Sequence, residues 1–188
     1  MDFYLESFAQ ANASCDQPAK IPNFDGAAYM GTWYEQHHVK GQFFEADDSV
    51  CVQAQYTGLQ ADGHFTVSNT LQDAAFDTPR TGVVGDGYCP NGDGQCFVHF
   101  YGPQPKKSNY KVVATDYETY SIVYSCGFLK SFLWLLTREA VVSDTLVNQM
   151  LATAKKSLPN FDFSSLDGRD YQGSKCTYAT PVSGLFLQ

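Results

Sequence analysis

The stretch AAYMGTWYEQHH, residues 27–38, opens what reads as a β-strand with Gly31, Thr32 and Trp33. Glycine is a poor strand former and tryptophan a large side chain, so their pairing at a strand start demands a structural reason. Strict alternation from Trp33 turns Glu35 and His37 to the same face as the indole. A carboxylate and an imidazole beside a buried tryptophan are out of place there. Either a β-bulge shifts the phase, or the strand ends in a polar patch near an opening.

Beyond this strand, period-two patterns recur between turn signals at close spacing. Candidate strands run over 31–39, 50–58, 64–71, 80–87, 95–101, 109–116, 119–126 and 132–138, with ADG (61–63), NGDG (91–94) and GPQP (102–105) as turns. Strands in chain order with short connections make an up-and-down antiparallel sheet, and eight of them can close on themselves. There is no internal repeat, low-complexity tract or linker. The segment SDTLVNQMLATAKKSLP (143–159) breaks the pattern: Leu146, Val147, Met150, Leu151, Ala154 and Leu158 fall on one helical face. Ser143 or Asp144 caps its start and Pro159 ends it. That face must cover something apolar. Strand 132–138 offers Leu133 and Leu135 on one side, which leaves Trp134 to the interior. The expected fold is an all-β, eight-stranded antiparallel β-barrel with one C-terminal helix packed outside.

The second strand reads the same way. Val52, Ala54 and Tyr56 alternate with Cys51, Gln53 and Gln55, so an inward apolar set turns Cys51 outward, within reach of a tail segment carrying Cys176. In the third strand the inward set is Phe65, Val67 and Asn69. An amide among inward apolar residues needs a partner, whether a side chain, a water or a ligand.

Composition bounds the function. A chain of 188 residues with 44% hydrophobic and 17% charged residues suits one globular domain. The net charge of −8 argues against nucleic acid and against an anionic membrane surface. No window approaches the ~20 apolar residues of a membrane span. Fourteen Phe and twelve Tyr favour β structure or an aromatic-lined cavity. Six cysteines, none in a C-x-x-C pair, fit three disulfides and an oxidising compartment. The expectation is a secreted protein. The first residues, MDFYLESFAQANAS, lack an apolar core, so Met1 is read as replacing a cleaved signal peptide. Asn12-Ala13-Ser14 is a glycosylation sequon.

NFDGAAYMGTWYEQ (23–36), ATDYETYSIVYSC (114–126) and LWLLTRE (133–139) resemble the three sequence blocks of the lipocalins, in that family's order and with its helix behind them. The flavour is that of the branch holding apolipoprotein D, the insect bilin-binding proteins and the carotenoid-binding crustacyanins. The likeness spans 23–176, with 1–22 an N-terminal arm and 177–188 a C-terminal tail. It implies that Trp33 closes the floor of a cup, that Arg138 packs over its indole, and that Gly31 lets the backbone pass closely. It implies disulfides Cys15–Cys126 and Cys51–Cys176. Cys89 and Cys96 then remain, flanking PNGDGQ, and are expected to pair locally. Arg138 follows Cys126 by twelve positions, fewer than in apolipoprotein D, so the last hairpin is expected to be short.

The resemblance further implies a secreted carrier that holds a small hydrophobic molecule inside the barrel: a bilin such as biliverdin, a carotenoid, a steroid or a fatty acid. It requires no cofactor. Tyr56, Asn69 and Trp134 carry over as pocket-lining positions. Alternation adds Phe65, Val67, Phe100 and Tyr110, and Phe43 or Phe44 in the first loop is expected to cover the mouth. Against each stands the plainer reading of ordinary barrel core. The alternative function is an enzyme acting within the cup, either an isomerase with a free inward cysteine or a de-epoxidase-like enzyme using acids, for which Asp47, Asp48 and Asp116 are the candidates. A third is an interaction protein with a filled barrel, which the small Val52, Ala54 and Val67 oppose. No metal site is expected, because His37 and His38 alternate faces and His64 and His99 lack ligand-like neighbours. His37 is the one residue placed to ligate a haem.

Overall fold

A computed structural model describes residues 15–41, 48–76, 79–127 and 130–179. A four-residue helix, α1 (Gly26–Tyr29), leads into eight strands: β1 (Gly31–His37), β2 (Val50–Thr57), β3 (His64–Gln72), β4 (Thr81–Tyr88), β5 (Gln95–His99), β6 (Tyr110–Thr115), β7 (Tyr120–Cys126) and β8 (Ser131–Thr137). Helix α2 (Asp144–Ser157) follows, and then a 3₁₀ turn at Phe163–Ser165. Each strand pairs antiparallel with the next and β8 pairs back to β1, which closes the barrel. The last hairpin is indeed tight, joined by a hydrogen bond from Gly127 N to Lys130 O.

Alternation sorts the side chains into two layers. Leu133 and Leu135 on β8, with Ile122 and Tyr124 on β7, face outward and pack against Val147, Met150, Ala154 and Leu158. Each of the buried leucine, isoleucine, valine and methionine side chains contributes about 1.5–3 kcal/mol. The Ser143 hydroxyl caps α2 by accepting from Leu146 N, and Lys155 and Lys156 lie in the last turn, where the helix dipole favours cations. The opposite faces of the same strands supply Val123, Trp134 and Leu136 to the interior.

The phase problem in β1 is resolved by a bulge. Glu35 pairs with Leu136 and His37 with Leu135, so two steps along β1 match one along β8. Trp33 and Glu35 therefore face inward, Gln36 bonds to Thr137 and Ala140 at the exterior, and the parity then flips. His37 lies on the outward face with Leu135, its Nδ1 3.1 Å from the Asp167 carbonyl. Val39 joins the outer cluster, and His38 is the buried histidine. The expectation that His37 points inward is thus overturned, and with it the candidate haem ligand.

Past the bulge β1 and β2 separate, since their pairing covers only Gly31–Tyr34 against Gln53–Tyr56. The chain after α2 fills the gap. Lys40 N donates to Ser165 O, Asp167 N to His38 O, Asp170 N to Gln36 O and Cys51 N to Tyr171 O. The Gln172 amide bridges Glu35 O and Val52 O at 2.9 and 2.8 Å. Disulfides join Cys51 to Cys176, Cys15 to Cys126, and Cys89 to Cys96. No cysteine is free.

Candidate ligand-binding site

The floor of the barrel is built first. Asp25 caps α1 through Ala28 N, which sets Tyr29 above the indole of Trp33 at 5.2 Å between ring centres. The indole N–H donates to Tyr29 O at 3.0 Å. Beneath the indole lies Arg138, 3.7 Å from the ring centre, with Gly31 at φ +100° leaving space for its guanidinium. Three phenols meet above this layer. Tyr110 reaches Tyr29 at 2.9 Å and Tyr56 at 2.8 Å, while Tyr29 also reaches Ser121 Oγ at 2.8 Å. Burial raises all three pKa values, that of Tyr29 to about 12, so the phenols stay neutral hydrogen-bonding groups. Phe65, Val67, Val112, Val123 and Leu136 complete this packed layer.

Above the floor the inward side chains change character. Ala54, Asn69, Val98, Phe100, Tyr110 and Trp134 face inward yet are only half-buried, whereas the outward neighbours Gln53, Gln55, Leu133 and Leu135 are fully buried. In a closed barrel, accessible inward side chains mean accessible interior surface. Trp33, Ala54, Asn69 and Val83 form one row across β1 to β4. The Asn69 Oδ1 is buried there, with no hydrogen-bond donor among the described residues. Such an orphan acceptor costs about 1–3 kcal/mol unless something else satisfies it.

Glycines on β4 shape the opposite wall. Gly85 and Gly87 pair with the inward Val67 and Phe65. A Cβ at Gly87 would fall 2.3 Å from Phe65 Cζ, and one at Gly85 2.7 Å from Phe100 Cδ1. The two phenyl rings therefore lie against bare backbone instead of crossing the centre.

The sequence-expected residues distribute over both layers. Tyr56, Phe65 and Val67 sit in the packed floor, whereas Asn69, Phe100, Tyr110 and Trp134 sit above or at its edge. Phe43, Phe44, Asp47 and the Asn12 sequon lie outside the described residues. Sequence reasoning missed Tyr29, because a four-residue helix carries no periodic signal, and it missed the β4 glycines. It also missed a buried ionic cluster. His38 Nδ1 lies 3.0 Å from Glu35 Oε1 and 3.0 Å from Asp170 Oδ1. Burial opposes charge on this imidazole, but contact with Asp170 and Glu35 outweighs it and raises the pKa to about 11.

Residues 24–170 match the sequence profile of the lipocalin-like domain. The chain belongs to the lipocalin family. The lipocalin is 28% identical over 189 residues to the Lazarillo protein of Schistocerca americana, an alignment covering 95% of this chain and 85% of that one. It is 32% identical over 132 residues to apolipoprotein D of Mus musculus, covering 66% of each. The structure of insecticyanin from the tobacco hornworm Manduca sexta superposes with a TM-score of 0.67 at 21% identity, covering 89% of this chain and 92% of that one. This lipocalin combines a closed barrel, an exterior helix and three disulfides, and none of its described helices is long and apolar enough to cross a membrane. Of the acids considered for catalysis, Asp48 is exposed. Asp116 is exposed too, and caps the turn before β7 by accepting from Glu118 N, Thr119 N and Tyr120 N.

Proposed function

We propose that this lipocalin is a secreted carrier that holds one small hydrophobic molecule non-covalently inside the barrel. The observation that carries the reading is the half-buried inward set of Ala54, Asn69, Phe100, Tyr110 and Trp134 above a sealed floor. Burying ~300 Å² of apolar ligand there contributes about 7–8 kcal/mol gross at ~25 cal/mol/Å², before ordering costs. Aromatic walls suit a flat or conjugated molecule, and the Asn69 amide supplies a polar contact for one end. A bilin such as biliverdin or a carotenoid matches both features, and a steroid or fatty acid matches the apolar one. The family relationship to apolipoprotein D supports a carrier over an enzyme. The isomerase route is further weakened because all six cysteines are in disulfides. Three disulfides also support an oxidising, extracellular setting.

Only two tryptophans are present, Trp33 fully buried in the floor and Trp134 half-buried in the wall. Titration with biliverdin, a carotenoid, a steroid and a fatty acid is therefore read through intrinsic fluorescence. The expected result is saturable quenching at one equivalent with Kd about 1 μM or tighter for at least one class, most of it lost in Trp134→Phe. Absence of saturable binding by all four classes overturns the carrier reading.

A further inference from the structure

The carrier reading makes no use of Glu35, His38 and Asp170, three buried residues in the wall where β1 meets the chain after α2. One ligand-type atom from each lies within 4.8 Å of the other two. His38 Nδ1 is 3.0 Å from an oxygen of each carboxylate. An ordinary ion pair would aim the N–H at one of them. Instead Nδ1 makes no directed hydrogen bond to either oxygen. The second Asp170 oxygen, Oδ2, is also buried without a hydrogen bond.

The spacing points the same way. At metal–ligand distances of about 2.0–2.2 Å, ligand atoms around one ion lie roughly 3–3.5 Å apart, and 3.0 Å is the separation from Nδ1 to both oxygens. The β1 bulge creates this arrangement, because it turns His38 to the side of Glu35, and the strap after α2 adds Asp170.

We propose that Glu35, His38 Nδ1 and Asp170 bind a single divalent transition-metal ion of the zinc type. One nitrogen and two carboxylates suit zinc better than calcium or magnesium, which take all-oxygen shells, or copper(I), which takes thiolates. The ion replaces the proton on Nδ1, which leaves to solvent. Three protein ligands leave a fourth position for water or a polar atom. The site ties β1 to the strap and does not depend on what the barrel carries.

The test uses the disulfide-intact protein stripped with EDTA. Zn²⁺ binding is measured by calorimetry, and Co²⁺ serves as a visible-absorption probe. One equivalent of Zn²⁺ is expected, with affinity at least about tenfold weaker in both His38→Ala and Asp170→Asn. A visible Co²⁺ band is expected in the wild type and not in His38→Ala. Near-UV circular dichroism and binding of a fluorescent hydrophobic probe establish that each variant keeps its barrel. If His38→Ala does not fold, the wild type and Asp170→Asn decide. Lack of stoichiometric binding by the wild type, or binding that Asp170→Asn leaves unchanged, overturns the proposal.

Discussion

Arg138 lies 3.7 Å from the centre of the Trp33 ring and donates at the same time to Thr32 O, Ala28 O and Tyr117 O, at 3.0, 2.8 and 2.9 Å. One guanidinium thereby joins β1, α1 and the turn before β7 beneath the barrel floor. A lysine reaches the ring but lacks the planar fork that serves three carbonyls. Arg138→Lys is expected to destabilise by about 2 kcal/mol and Arg138→Ala by about 3 kcal/mol, combining lost cation–π attraction with orphaned carbonyls. Gly31→Ala should add strain of about 1–2 kcal/mol, given its positive φ and a Cβ 3.2 Å from Arg138 Nη1. Urea midpoints at unchanged m-value check all three.

The interior volume rests on Gly87. With a Cβ 2.3 Å from Phe65 Cζ, Gly87→Ala must push that ring toward the barrel centre. Overpacking of this kind destabilises by about 1–3 kcal/mol. Ligand affinity is expected to fall roughly tenfold, about 1.4 kcal/mol. Adding Phe65→Leu should restore binding by returning the space. Fluorescence titration of the single and double variants reads the effect, and an unchanged affinity in Gly87→Ala would remove the glycine wall from the account.

Acid stability has an assignable contributor. Burial, the largest single influence, raises the Asp116 pKa, but hydrogen bonds from the Thr119 hydroxyl and from the N–H groups of Tyr120, Thr119 and Glu118 together outweigh it and hold the carboxyl below its ordinary value. The folded pKa is depressed, so the stabilisation is present above the unfolded value near 4 and is lost as pH falls through the folded one. Asp116 is exposed, which limits the size of the effect. Asp116→Asn should therefore melt below wild type at about pH 6 and converge on it toward about pH 2. A constant gap across that range would assign the loss to something other than ionisation.

How much of this was legible in the chain depends on the range of the signal. Alternation in VCVQAQYT and SFLWLLT placed Tyr56 and Trp134 inside, and the 3.6-residue period placed Met150 on the leucines, because each pattern is written within one element. The cluster of Glu35, His38 and Asp170 is written nowhere locally. It needs a bulge of one residue, which changes no composition, and a partner that follows His38 by 132 positions. Strict alternation chose His37 for that reason. The β4 glycines were equally silent, since a missing side chain shows its effect only through the Phe65 and Phe100 rings laid upon it.

The strap between β1 and β2 sets an order of events. Carbonyls of Glu35, Gln36, His38 and Val52, near the front of the chain, accept hydrogen bonds from Asp167, Asp170 and Gln172. A ribosome that has made all eight strands and the helix has still not made the stave that seals the seam. The finished vessel is watertight along this side only after translation has passed residue 172, and the Cys51–Cys176 bond is the rivet that keeps it so.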